Sequence, residues 1–194
     1  MSYLTDIIEL IKTRRCIRKY KDEQIPDDEI EFLIDCGRYA PSGFNMQPWR
    51  FLVIQNKDVM LRLSESGKRS IIPLIEPIKN TSRKVADYLV FLKTKGTDMF
   101  YNAPVLVIIL GNKNVPTSDV DCAMVAQNMM LAAHSHGIGS CWIGGVLPAL
   151  MDENILKELG APEGNKAVAP LIFGYPKGKT EMPAKLEPEV KWLR

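Results

Sequence analysis

Apolar positions along the chain alternate between two periods, and the switches predict the elements. Leu4, Ile7, Ile8 and Ile11 fall on one face of a helix over about residues 2–13. Pro26 and Asp27–Asp28 open a second helix, to about Tyr39, with Ile30, Leu33 and Ile34 inward. Proline and acids suit a first turn, where amide groups are unpaired and the helix dipole is positive. A strand over Arg50 to Gln55 and a short helix over 58–66 follow. Residues 67–82, interrupted by Pro73 and Pro77, read as irregular and mobile, before a helix over about 83–95.

Gly96 to Asn102 reads as a loop. APVLVIIL (103–110) then predicts a buried strand, because it is uncharged and rich in β-branched residues. Asp119 to His136 is the longest predicted helix, ended by Gly137. Its Ala, Met and Leu residues lie on nearly every face, so it is expected to be buried, with Gln127 and Asn128 bonding to neighbouring helices. A strand over Gly139 to Ile143, a helix over Pro148 to Leu159 and a strand over Lys166 to Phe173 complete the pattern. The order gives no regular βαβ repeat. An α+β domain with a mixed or antiparallel central sheet flanked by helices is therefore expected, as one unit over residues 1–194. Residues 175–194, rich in Pro, Lys and Glu yet carrying Val190, Trp192 and Leu193, read as a C-terminal arm that crosses to a partner subunit.

Composition narrows the function classes. A formal net charge of +2 lacks the dominant basic stripe of a nucleic-acid protein. The apolar run at 103–110 is far shorter than the roughly 17–25 residues that span a bilayer. The N-terminus does not read as a secretory signal, and four scattered cysteines without a CxxC pair fit a reducing cytoplasm. His134 and His136, two apart on a helix, diverge rather than chelate, so a zinc site is a poor reading. GxSxG, P-loop and Ser-His-Asp signatures are absent.

Three segments carry candidate chemistry. Arg14-Arg15-Cys16-Ile17-Arg18 places Arg14, Cys16 and Arg18 on one side of an extended chain, where guanidinium groups can grip phosphate. Read alone, it is a solvated basic turn. Pro41-Ser42-Gly43-Phe44-Asn45-Met46-Gln47-Pro48-Trp49 gathers a hydroxyl and two carboxamides, which match the edge of a pyrimidine-like ring. A loop that merely turns the chain over a buried Trp49 fits equally well. Gly137-Ile138-Gly139-Ser140-Cys141-Trp142-Ile143-Gly144-Gly145 fails the dinucleotide fingerprint, since Trp142 stands where the third glycine belongs. Gly144–Gly145 at a strand end lets backbone approach a flat ligand, or forms a plain tight turn.

Together, RRxxR, APSxxNxQPW, the AAxxxGxG helix end, the IGG strand end and LIFGYPKG (171–178) resemble the nitroreductase family of flavoproteins, over essentially the whole chain. The resemblance implies an intertwined homodimer with FMN at the interface and NAD(P)H as electron donor. It implies ping-pong reduction of small organic acceptors such as nitroaromatics or quinones. By the same resemblance, Arg14, Arg15 and Arg18 hold the FMN phosphate and ribityl chain, with Cys16 beside them and Lys185 at the phosphate. Pro41, Ser42, Gly43, Asn45 and Gln47 meet the flavin, some from the opposite subunit, while Ile143, Gly144 and Gly145 line its reactive edge. Cys16 and Gly43 stand where the family often has Ser, and Leu186 where a second basic residue is common. No side chain has a catalytic role of its own, because the cofactor carries the hard chemistry. Met99, Phe100 and Tyr101 are candidates for stacking a planar substrate, or for anchoring their loop to the core. The alternatives are a flavin enzyme of the same fold with other chemistry, such as a dehydrogenase or dehalogenase, and a non-catalytic FMN-binding protein.

Overall fold

The computed structural model describes residues 7–194, so Leu4 and the start of the first expected helix lie outside the described residues. The fold is organised around the APVLVIIL run, which becomes a strand over Val105–Asn112 buried along nearly its whole length. It pairs on one side with Trp49–Ile54 and on the other with Asn165–Gly174, beyond which lies Gly139–Trp142. In chain order these are β1 (Trp49–Ile54), β2 (Val105–Asn112), β3 (Gly139–Trp142) and β4 (Asn165–Gly174). The sheet order is β1-β2-β4-β3, every neighbouring pair antiparallel.

Because successive side chains point to opposite faces, β2 supplies both cores. Val105, Val107 and Ile109 join one apolar cluster, and Leu106, Ile108 and Leu110 the other. Each such side chain contributes roughly 1.5–3 kcal/mol when fully buried. The helices, numbered in chain order, are α1 (Ile7–Thr13), α2 (Asp27–Arg38), α3 (Lys57–Ile75), α4 (Arg83–Lys93), α5 (Ser118–Ser135), α6 (Leu147–Leu150) and α7 (Glu153–Glu158). The first cluster takes residues from α2 and α5, and the second from α3, α4, α6 and α7. The expected α+β arrangement is present. Among the described residues, no helix is long and apolar enough to cross a membrane.

Helix α5 buries Cys122, Val125, Ala126, Met129, Met130 and Ala133. Helix α2 lies so close that a Cβ on Gly37 would come 2.8 Å from Met129 Cγ. Asn128 Nδ2 donates to the Cys36 carbonyl at 3.4 Å, the interhelical bond expected of it, whereas Gln127 is exposed. The two histidines diverge: His134 Nε2 lies 2.9 Å from Thr13 Oγ1, while His136 pairs with Glu29 and stacks on Phe32.

Two expectations are corrected. Residues 67–75 are helical rather than irregular, and α3 runs on through Pro73 to Ile75. Its inward face of Met60, Leu63, Ser64, Gly67 and Lys68 continues through Ile71, Ile72 and Ile75, so packing outweighs the one backbone bond that Pro73 forfeits. The helix expected over Pro148 to Leu159 is split into α6 and α7. Asp152 causes the break: its side chain accepts from Asn154 N–H and starts a new helix.

Candidate functional site

The basic segment after α1 runs in extended form along the outer edge of β3. Cys16 makes a parallel bridge to Ser140, and Ile17 N–H donates to the Ser140 carbonyl at 2.9 Å. Further on, Lys21 N–H donates to the Tyr175 carbonyl and Lys177 N–H to the Lys19 carbonyl, both at 2.9 Å. The segment is thus clamped between β3 and the chain leaving β4. Glycine makes the approach possible, since a Cβ on Gly139 would meet Ile17 at 2.7 Å.

This clamp gathers Arg14, Arg15, Cys16 and Arg18 with Thr180, Glu181, Pro183 and Lys185 around a cavity of about 390 Å³. Five of the expected cofactor residues therefore meet, although Lys185 is separated from the arginines by most of the sequence. Their roles differ. Arg15 Nη1 turns back onto the Lys12 and Arg14 carbonyls at 2.8 Å, closing the end of α1. Arg14 Nη1 lies 3.9 Å from Cys16 Sγ. The Arg18 guanidinium sits 5.9 Å from the centre of the Tyr101 ring.

Cys16, expected beside the phosphate, sits in a strongly polarised setting. Its thiol is lowered to about 5, chiefly by a hydrogen bond from the Cys141 thiol and then by Arg14 and Arg18, against the opposing effect of burial. Cys141, inside the second core cluster, is driven strongly upward by that same bond and by its burial. A depressed pKa has a direct consequence for alkylation. In protein stripped of small molecules, iodoacetamide should label Cys16 at pH 6.5 near its plateau rate, with the rate falling only as pH approaches about 5. A profile that keeps rising to pH 8.5, as for an ordinary thiol, would contradict this.

From Arg18 an aromatic row leads across the protein. Tyr101 stacks on Phe91 at 5.3 Å, and Phe91 on Tyr88 at 6.3 Å. Tyr88 ends beside Gly145, where a Cβ would come 2.3 Å from its hydroxyl. Burial pushes Tyr88 up to about 12 and Tyr101 upward as well, so both phenols stay protonated. Gly144 and Gly145 form a tight turn directly after β3, and Ile143 is buried with its N–H on the Pro170 carbonyl at 2.8 Å. A Cβ on Gly144 would meet nothing nearer than the Trp142 ring at 3.9 Å. Among the described residues, no neighbour crowds that position.

The 41–47 loop is strained as well as polar. Phe44, Asn45 and Gln47 have φ values of 52°, 55° and 47°, in the left-handed region, at a cost of roughly 1–3 kcal/mol each for such residues. Ser42 Oγ accepts from Gln47 N–H at 3.0 Å, Gln47 Nε2 donates to Asn45 Oδ1 at 3.1 Å, and Gly43 N–H donates to Asp121 at 3.2 Å. Pro41, Asn45 and Gln47 are exposed, and Phe44 is completely so. The loop is anchored to Thr117 and Asp121 at the start of α5. It does not line the arginine cavity of its own chain.

The substrate role expected of Phe100 is corrected. Its ring is 0% exposed and Met99 1%, inside the second core cluster. Asp98 accepts from Phe100 and Asn102 N–H, Ser64 Oγ accepts from Met99 N–H at 2.8 Å, and Lys68 donates to the Thr97 carbonyl. These bonds tie the loop inward. Tyr101 alone of the three remains partly open, at the head of the aromatic row. Sequence reasoning missed Tyr88, Phe91 and Cys141, which look like ordinary core residues until the fold brings them beside Gly145 and Cys16.

The fold has counterparts among known proteins. The model of the nitroreductase family matches residues 11–175, and the chain belongs to that family. A protein of Methanothermobacter thermautotrophicus, provisionally named NADH dehydrogenase/NAD(P)H nitroreductase, is 32% identical over 88% of this chain and 78% of its own length. The solved structure of a Bacteroides fragilis nitroreductase with bound FMN is 29% identical, with a TM-score of 0.77 over 95% of each chain. An iodotyrosine deiodinase of Thermotoga neapolitana is 26% identical over 69% of this chain and 71% of its own.

Proposed function

We propose that the protein is an FMN-dependent oxidoreductase that takes electrons from NAD(P)H and passes them, in alternating half-reactions at one site, to small organic acceptors such as nitroaromatics or quinones. The observation that carries this reading is the guanidinium-lined cavity, joined through Arg18 to the stacked row of Tyr101, Phe91 and Tyr88, which ends at a turn whose Gly144 is exposed. The donor set fits the cofactor: Arg14, Arg18 and Lys185 match a phosphate, and the uncrowded Gly144 leaves room for a planar ring. When bound, FMN supplies the hydride and electron chemistry. The protein's share is to bind and orient it, with Ile143, Gly144 and Gly145 along its edge.

Pro41, Ser42, Gly43, Asn45 and Gln47 complete the site from the partner of a homodimer in this reading. Their loop carries exposed polar side chains that do not line its own arginine cavity, and strained backbone of that kind clusters at ligand sites. Of the arm over 175–194, the exposed part beyond Lys185, with Leu186, Trp192 and Leu193 uncovered, crosses to the other subunit in this reading.

The purified protein should be yellow and dimeric. Anaerobic NADH or NADPH should bleach it, and a nitroaromatic or quinone should restore the colour. A colourless protein that ignores added FMN would end this reading. The deiodinase relative makes reductive dehalogenation the second reading. Iodide release from 3-iodo-L-tyrosine by the bleached protein, with slow recolouring by nitroaromatics and quinones, would favour it.

A further inference from the structure

We propose that Cys16 and Cys141 form a reversible oxidation site: peroxide oxidises the exposed Cys16, and Cys141 resolves it as an intramolecular disulfide. Two features of the fold carry it.

The first is placement. Cys16 bridges Ser140, the residue before Cys141, across parallel extended chains. Neighbouring strands lie about 4.8 Å apart with a rise of about 3.3 Å per residue. That puts the Cα atoms of Cys16 and Cys141 within the roughly 4.4–6.8 Å that disulfides need, and this edge segment, joined to β3 by a single bridge, can turn the Cys16 side chain toward Cys141. The two side chains are close enough for each to be the strongest influence on the other's thiol, and Cys141 Sγ lies 3.7 Å from the Trp142 carbonyl. Both cysteines are free thiols.

The second is the division of labour. Cys16 is exposed at the wall of the arginine cavity, with Arg14 Nη1 at 3.9 Å and Arg18 lining the same space. Cys141 is 0% exposed, shielded from solution oxidants yet one residue along from the bridge partner of the cysteine that meets them. The stabilised Cys16 thiolate is the nucleophile, and the protonated Cys141 is held in reserve. Cys36 and Cys122 lack this setting: burial raises both thiols and no guanidinium group lowers them.

The chemistry balances. The Cys16 thiolate attacks one oxygen of hydrogen peroxide and the O–O bond breaks. This gives a sulfenic acid and hydroxide, which takes up a proton as water. Cys141 sulfur attacks the sulfenic sulfur, the S–S bond forms, and the S–O bond breaks to release a second water carrying the Cys141 proton. Two thiols lose two electrons and two protons, and one peroxide becomes two waters. A dithiol reductant reverses it by exchange.

The test is a thiol count and peptide map of the full-length protein after brief treatment with hydrogen peroxide, alkylated under denaturing conditions. The expected result is loss of two of the four thiols, a linked Cys16–Cys141 peptide from the monomer band of a non-reducing gel, and full recovery with dithiothreitol. In Cys141→Ala, dimedone should trap Cys16 as a sulfenic acid and no linked peptide should form. Should that buried variant fail to fold, the exposed Cys16→Ser serves instead and should keep all three of its thiols through the treatment. Four free thiols in treated wild type, a linkage through Cys36 or Cys122, or thiol loss in Cys16→Ser would each overturn the proposal.

Discussion

Replacing both Arg14 and Arg18 with alanine is expected to give a folded protein whose affinity for FMN is lower by roughly two to four powers of ten. Hydrogen bonds to charged groups contribute about 1.5–3 kcal/mol each, so losing two costs about 3–6 kcal/mol, at about 1.4 kcal/mol per tenfold. Arg14 is half-buried and Arg18 exposed, so neither side chain holds up the core. Folding loses mainly the contact of Arg18 with Tyr101, roughly 0.5–1 kcal/mol at an exposed site. Arg15→Ala is a useful contrast, because part of its guanidinium closes α1 and its loss falls partly on stability. Lys185→Ala removes a point charge from an exposed arm and should weaken binding less than the double variant. Fluorescence titration of flavin-stripped protein with FMN reads all three. Wild-type affinity in the double variant would remove the arginines from the phosphate role. The wild-type affinity should also fall with added salt, since ions screen exposed charges over about 8–10 Å at moderate ionic strength.

The fold was legible where one physical effect dominated. An uncharged β-branched run can only be a buried strand, and β2 appears within two residues of the expected bounds. Helix α5, apolar on nearly every side, had no stable place except between a sheet and another helix. Legibility failed where two effects opposed each other. At Pro73 the local rule said break and the apolar stripe said continue, and only the depth of the second core cluster decides between them. At Asp152 a local cap overrode a stripe that reads as one helix from Pro148.

The candidate site divides in the same way. Arg14, Arg15 and Arg18 announce themselves by composition, and spacing along an extended chain places Arg14, Cys16 and Arg18 together. Lys185 could be matched only through family resemblance, because nothing local ties an exposed arm to residue 14. Cys141 was invisible as chemistry: a thiol in the apolar strand GSCW reads as core, and its importance arises from a bridge between chain segments that are distant in sequence. Tyr88 and Phe91 sit one turn apart on α4, a spacing that any packed helix shows. Their alignment with Tyr101 depends on the loop over 94–102 being drawn inward by Ser64 and Lys68.

That inward pull makes Phe100→Ala the sharpest test of which loop residues serve the core. Removing a fully buried phenylalanine ring costs about 3–5 kcal/mol, the lost transfer energy plus the cavity left behind. Natural domains hold only about 5–15 kcal/mol in total, so the variant gives up a large share of its stability. At about 2–4 °C per kcal/mol for chains of this size, the midpoint of thermal unfolding should fall by about 6–20 °C. The cavity cannot close easily, because Asp98 pins the backbone on both sides of the ring and Tyr101 and Asn102 already sit at φ of 55°. Tyr101→Ala should behave in the opposite sense. Its ring is only partly buried, so unfolding shifts less, while the ranking of nitroaromatic and quinone acceptors changes because the row from Arg18 to Gly145 loses its head. Calorimetry and steady-state kinetics on the two variants separate the roles. A Phe100→Ala protein with wild-type thermal stability but altered acceptor ranking would place that ring in the substrate pocket instead of the core.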